Sequence, residues 1–485
     1  MSILKSPREV QLAILELLPL SDLIALSTTS KDARHKVEPL IYSDIRIIRE
    51  LHGRPPIMLL LRTILDRPEL GSYVRRLDLG GEEFGVPPSR SFRPRPPVPQ
   101  MVPLPTERLS QVARNYSSSL ELINSWIHEA ESGSSDALAA FLIGLLPNLA
   151  WLYSSYDWTV EIKYVGLVFR SAVRGISGDS FPPRLPTYES LRRVELKLPS
   201  GFDESEYMDI GYIDPVNTLD ALTLFYLPNI EHISVCIDNP IEFSWPLPTP
   251  PNSTLSSLEL GRLREIRLEP LLSTLANLRK LRYDWFYCHP VDRQVSGPIV
   301  RLDTMAAALA TLSDTLTELE ITAETPCALS WGDDFPPTFT LQGSLSQISQ
   351  LRKLRRLHLP WVFVMGMPAS PNGRIDLNIP PDVEDLAFTA DLFEADANDW
   401  EDDMIISIIK SELEDGVLSV LGSLKKITLP GSMILGREAI EYAGDLEALG
   451  AQFNIEVVDQ WQDFLERERR VSGSEASSDG SDEIF

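Results

Sequence analysis

The sequence predicts an α/β protein: a small module of three helices near the start of the chain, then a long, irregular solenoid of strand–helix units. Three observations lead there. Apolar residues recur at helical spacing through residues 6–42, in short runs interrupted by Pro19. From residue 73 onward a unit of the form apolar-x-x-Leu-x-Leu returns repeatedly, with helix-like stretches between its copies. And a chain of 485 residues that is 43% apolar can bury the core of one large repeat domain or of several ordinary ones.

The first helix opens with Ser6 and Glu9 as a capping box and with Pro7 at its first helical position, where the missing N–H costs nothing. Val10, Ala13, Ile14, Leu17 and Leu18 form its expected inner stripe, and Pro19 stops it. Ser21 is placed to cap a second helix carrying Leu23, Ile24, Ala25 and Leu26. A third helix presents Ala33, Val37, Leu40 and Ile41 on one face. Leu12 and Leu15 fall about 100° or more away from the first helix's inner stripe. Two readings fit them: the following domain covers them, or they form an apolar strip kept for a partner.

Ile41–Ile47 alternates apolar and polar residues, so a strand follows the third helix and the module closes near residue 47. Residues 55–70 read as mainly helical, and Tyr73–Leu79 introduces the recurring unit. Its further copies are Leu146–Leu152, Leu191–Leu196, Leu227–Val235, Leu255–Leu260, Leu263–Leu268, Leu278–Tyr283, Leu316–Ile321, Leu354–Leu359, Val383–Phe388 and Leu424–Leu429, with a weaker one at Phe453–Val457. A strand of two or three residues cannot bury its leucines alone, so copies must stack; alternate positions then face solvent. The spacing is uneven, and the repeats occupy residues 48–465 as an irregular array. Leu109–Ala130, Ser135–Leu146, Val300–Ser313 and Asp403–Leu413 are the expected outer helices.

Residues 86–105, 200–217, 237–254, 366–381 and 391–403 read as loop insertions rich in Pro, Asp, Ser, Gly or acidic residues, and 466–485 as an acidic disordered tail. The net charge of −26 argues against nucleic-acid binding and against an anionic membrane surface. Cys236, Cys288 and Cys327 form neither a disulfide framework nor a zinc pattern, which points to a reducing compartment, cytoplasm or nucleus. The charged first helix does not suit a secretory leader, and the most apolar run, Ala137–Leu146, is too short to span a bilayer.

Chemistry-bearing motifs are sparse. His35, His52, His128, His232, His289 and His358 show no metal spacing and no nucleophile partner, so no metal, cofactor or catalytic residue is expected. Gly80-Gly81 reads as a turn, and the carboxylates of 396–403 lack the central Gly of a calcium loop. Arg93–Pro99 fits a short proline-rich ligand, and Ser474, Ser478 and Ser481 sit beside acids that suit phosphorylation; both patterns are common by chance. The better candidates are alternate positions of the repeats: Trp151, Tyr153, Arg193, Glu195, Arg267, Arg282, Glu320, Arg356 and His358. For any one of them an ordinary solvated strand face is the simpler reading. Trp151 and Tyr153 stand out because aromatics are enriched at binding hot spots.

Through Pro7, Glu9, Ile14, Leu15, Leu18, Pro19, Asp22, Leu23, Leu26, Ser30, Lys31 and Arg34 the N-terminal module resembles the F-box. Ser6 stands where that family usually has Leu, and Ala33 where an aromatic is common. The recurring unit resembles the leucine-rich repeat. Together these resemblances imply a non-catalytic substrate-recognition subunit of a Skp–cullin–F-box ubiquitin ligase. Its expected partners are a Skp-type adaptor, through it a cullin, and a target protein held by the repeats. The residues implied in adaptor docking are Pro7, Leu12, Ile14, Leu15, Leu18, Leu23, Leu26, Pro39 and Leu40, some of which hold the module together. The alternative implied by the same resemblance is an interaction scaffold outside any ligase.

Overall fold

A computed structural model of the chain describes residues 7–49, 56–81, 102–155, 158, 162–176, 185–196, 216–237, 239–240, 242–248, 250, 254–287, 297–324, 328–330, 333–335, 340–367, 375, 379–393, 400, 402–414, 418, 421–430 and 448–459. The fold is α/β, with parallel strands and helices in each of two compact units. The first holds residues 1–200, 214–238 and 244–255, and the second holds the remainder. The proline-rich ligand pattern, the tail and its serines, and most of the expected insertions 86–105, 200–217, 366–381 and 391–403 lie outside the described residues; most of 237–254 is described and forms neither helix nor strand.

The first unit begins with three helices, α1 (Arg8–Leu15), α2 (Leu20–Thr29) and α3 (Lys31–Ile41). Leu15, Leu23 and Val37 are their shared core, with Leu18, Leu26, Leu40 and Ile41 packed against it. This corrects the expected stripe of the first helix: Leu15 is 1% exposed, whereas Val10 is 46% and Leu17 85% exposed. The inner face of α1 runs through Gln11 and Leu15, one turn apart. Polar Gln11 interrupts the apolar pattern, and the helix ends before Leu17 can continue it. The caps differ too. Pro7 is the N-cap of α1 and Pro19 that of α2, neither with a side-chain cap bond; Ser30 caps α3 by accepting from the Ala33 N–H at 3.1 Å. Glu38 of α3 takes a bidentate bond from Arg67 at 2.8 and 2.9 Å, which holds its carboxyl below the usual range.

Five parallel strands follow in chain order: β1 (Asp44–Arg49), β2 (Arg76–Gly81), β3 (Trp151–Ser154), β4 (Arg193–Leu196) and β5 (His232–Cys236). Their registers align Ile45, Leu77, Leu152, Val194 and Ile233 in one row, buried from Leu77 onward. Gly80-Gly81 belongs to β2 and is not a turn. The intervening helices are α4 (Pro56–Asp66), α5 (Pro68–Gly71), α6 (Thr106–Tyr116), α7 (Leu120–Glu131), α8 (Ser135–Ile143), α9 (Lys163–Ile176) and α10 (Val216–Thr223). The single helix expected over Leu109–Ala130 is two, because Ser119 caps a new helix through the Leu122 N–H. Trp126 fills the helical layer, 4.3 Å from Phe141 and 5.4 Å from Tyr164 between ring centres.

The second unit repeats the scheme with β6 (Ser257–Gly261), β7 (Lys280–Phe286), β9 (Glu318–Glu324), β13 (Arg356–Pro360), β14 (Asp385–Thr389), β15 (Lys426–Leu429) and β16 (Glu456–Asp459), parallel and in that order. Leu258, Leu281, Leu319, Leu357, Leu386, Ile427 and Val457 share one buried row. Short β8 (Ile299–Arg301) pairs with β12 (Thr340–Gln342), and β10 (Ala328–Ser330) with β11 (Asp333–Phe335). The helices include α11 (Leu268–Leu272), α12 (Leu302–Ala310), α13 (Trp361–Met365) and α14 (Asp402–Glu414), and residues 448–453 are helical as well.

One expected copy is not a strand. Residues 265–267 of Leu263–Leu268 form a 3₁₀ turn, and Arg264 and Glu265 are each 1% exposed. Glu265 accepts from Arg264 Nε at 3.0 Å, the Trp285 indole at 3.1 Å and the Arg301 N–H at 3.2 Å; Arg264 donates to the Ile299 carbonyl at 2.8 Å. The pair thus pins β8 to the turn.

A periodic backbone device links successive strands. The carbonyl just before most of the long-sheet strands accepts from two consecutive N–H groups at the start of the next strand, as Arg75 does from Ala150 and Trp151, and Thr317 from Arg355 and Arg356. Side chains reinforce it. Asn148 Nδ2 donates to the Ser72 carbonyl while Arg75 donates to the Asn148 carbonyl, at 2.8 and 3.2 Å. Asn229 and Arg192 repeat the exchange with Glu189, and Arg355 donates to the Asp382 carbonyl at 3.0 Å.

Candidate interaction surfaces

Nine large apolar residues are exposed among the described ones, and five of them, Val10, Leu12, Leu17, Leu20 and Ile24, fall within fifteen positions of α1, α2 and their connection. These helices already have a complete core, so the five side chains are surplus to folding. Surface apolar groups concentrated in this way mark association sites more often than singletons do. Leu20 and Ile24 lie one turn apart on α2, and Leu17 projects from the turn before it. The residues singled out from the sequence divide between the two roles. Pro7 and Leu12 are exposed. Ile14, Leu18, Leu26, Pro39 and Leu40 are half-buried, and Leu15 and Leu23 are core. Leu15 is therefore not available to a partner. Val10, Leu17, Leu20 and Ile24, absent from the sequence-based docking set, are.

The solvent-facing side of the first unit's strands is organised around Trp151. Arg76, Trp151 and Arg193 occupy the same register on β2, β3 and β4. The Arg76 guanidinium lies 3.2 Å and that of Arg193 5.9 Å from the indole ring centre. The indole N–H donates to Glu195 at 3.2 Å, and Arg193 is ion-paired with the same carboxylate. Trp151 is thus half-buried, with cation–π neighbours on the flanking strands. Tyr153 is next to it on the same face, between Asp78 and Glu195. Four sequence-selected residues, Trp151, Tyr153, Arg193 and Glu195, meet here.

On the second unit the first solvent-facing row reads Lys280, Glu318, Arg356, Asp385, Lys426, Glu456, alternating in sign from strand to strand. Glu318 sits 2.9 Å from Lys280 and 3.5 Å from Arg356, and Lys426 is 3.8 Å from Glu456. In the next row Arg282 is 3.4 Å from Glu320, with His358 beyond. Burial opposes the charge of Arg282, but Asp284 and Glu320 outweigh it and raise its pKa further. Arg282, Glu320, Arg356 and His358 line a depression of about 300 Å³ with Glu259, Lys280, Glu318 and Asp385. Arg267, by contrast, lies in the 3₁₀ turn and is not part of this face.

At the carboxyl ends of β7 and β9, Asp391 accepts the Ala323 N–H at 2.8 Å. Burial pushes the Glu324 and Asp391 carboxyls up, helped by the charges of Asp391 and Asp284 at Glu324 and of Asp284 and Glu320 at Asp391. Among the described residues no cluster of His, Cys, Asp and Glu is arranged to hold a metal, and no helix is long and apolar enough to cross a membrane. The described surfaces are thus one apolar, one aromatic–cationic and one of paired charges. A scan against protein-family models matches none of them, and no curated protein sequence matches the chain.

Proposed function

We propose that this chain is the substrate-recognition subunit of a Skp–cullin–F-box ubiquitin ligase. In this reading α1–α3 are an F-box that docks a Skp-type adaptor, and the strand units are irregular leucine-rich repeats that hold a target protein. The subunit performs no chemistry itself and works in the cytoplasm or nucleus. It raises the effective concentration of a target lysine near the ubiquitin-loaded enzyme and orients it.

The observation that carries the reading is the apolar surface of α1 and α2, free over a core that Leu15, Leu23 and Val37 complete. The aligned leucine rows support the repeat reading, and Trp151 with its flanking arginines suits a hot spot for the target. The test is co-precipitation of the full chain with adaptor and cullin from cells under proteasome inhibition. Wild type brings down both, and Leu17→Asp with Ile24→Asp brings down neither, since each substitution places a charge in the apolar contact. Retention of both by the double variant overturns the docking assignment. Adaptor without cullin in the wild-type precipitate favours the scaffold alternative.

A further inference from the structure

We propose that the packing of α10 on α9 is a proton-operated latch, tightened when Asp220 is protonated and loosened when it ionises. Asp220 is the only charged residue of α10, and its side chain is fully buried. It enters the space left by Gly166 of α9, where a Cβ would stand 2.3 Å from the Asp220 carboxyl carbon. The fit therefore needs both a glycine on one helix and a short carboxyl on the other.

The slot gives the carboxylate little to offset its lost hydration. Among the described residues neither oxygen has a hydrogen-bond partner, and the one charge reaching the carboxylate is Arg170, whose Nη1 lies 2.9 Å from Oδ1 without hydrogen-bond alignment. The other cations of α9 are directed elsewhere: Lys163 pairs with Glu129 at 3.3 Å, and Arg174 is exposed. On the turn after α10, the Tyr226 hydroxyl donates to the Leu247 carbonyl at 2.9 Å. An ionised carboxylate with a single charged neighbour and no hydrogen bond is costly to bury, whereas a neutral carboxyl is tolerated. Burial accordingly raises the Asp220 pKa from 3.8 to about 7, with Arg170 pulling the other way.

The sign follows from that displacement. The docked state holds a proton that the undocked state has released, so docking weakens as pH rises from the unfolded value towards 7 and levels off above it. The experiment is hydrogen exchange of peptides covering residues 216–227 in the full chain between pH 5 and 8, corrected for intrinsic exchange. Wild-type protection should fall about tenfold per pH unit up to neutrality, on the order of a hundredfold in all. Asp220→Asn, isosteric and uncharged, should be flat. Arg170→Gln should keep the slope but level off at a higher pH. A wild-type profile parallel to that of Asp220→Asn, or an Arg170→Gln profile that levels off where wild type does, overturns the proposal. The second comparison decides even if Asp220→Asn does not fold.

Discussion

Glu265→Ala should be among the most damaging single substitutions in the second unit. The Glu265 carboxylate neutralises Arg264 and receives the Trp285 indole and Arg301 main-chain N–H groups, and both charged residues are 1% exposed. Its removal leaves a guanidinium buried without its counter-charge, which costs about 3–5 kcal/mol. Each orphaned N–H costs about 1–3 kcal/mol more if no water reaches it. These terms overlap, so a loss of about 4–6 kcal/mol is expected, a large part of a typical stability of about 5–15 kcal/mol. Arg264→Met with Glu265→Gln removes the charges and keeps most of the volume. It should cost at least about 2 kcal/mol less than Glu265→Ala despite changing two residues. Urea denaturation followed by tryptophan fluorescence measures the difference, and exchange protection of residues 297–301 should fall with it, since Arg264 and Glu265 hold that segment. A Glu265→Ala midpoint within about 1 kcal/mol of wild type, or a double variant as unstable as the single one, refutes the reasoning.

Three further outcomes follow from the packing and hydrogen bonding of the chain. Leu15→Ala should lower stability by about 2–4 kcal/mol while Leu17→Ala changes it by less than about 0.5, because the first empties the α1–α3 core and the second does not; thermal melts of the two variants decide. Asn148→Ala should cost about 1 kcal/mol, and Arg75→Ala should lower stability further in that background, because Arg75 donates to the main-chain carbonyl of residue 148, which the first substitution retains. Glu38 is held below its ordinary 4.5 first by its hydrogen bonds from Arg67 and then by the charges around it. Its contribution is therefore present above that value and lost as pH falls through the folded pKa. Glu38→Gln should melt below wild type at pH 6, and the gap should close towards pH 3.

The strand positions were legible because their pattern is imposed by burial. Leu281, Leu319 and Leu357 must each enter the same row, and nothing else in the sequence explains their even spacing. The α1 stripe was misread because Gln11 stands at a core position, and pattern reading discards a polar residue that the structure keeps at 9% exposure. Leu263–Leu268 matched the strand template but begins only eight residues after Leu255, too soon for a separate strand and its connection. That interval was the available signal for the 3₁₀ turn. The paired Arg and Asn or Asp of Leu-Arg-Arg and Pro-Asn segments carried a further signal: Asn148, Asn229 and Asp382 occupy one position relative to their strands, and each meets an arginine of the preceding unit. The Asp220–Gly166 slot left no trace in the sequence, since a lone Asp and a lone Gly separated by more than fifty residues form no pattern.

The most direct test of the central claim is hydrogen-exchange footprinting of the full chain with and without a purified Skp-type adaptor. Adaptor binding should protect peptides within residues 8–26, where Val10, Leu12, Leu17, Leu20 and Ile24 are exposed, and Leu17→Asp with Ile24→Asp should weaken binding at least about a hundredfold and erase that protection. An unchanged exchange pattern over residues 8–26 at saturating adaptor, or equal binding by wild type and the double variant, contradicts the account.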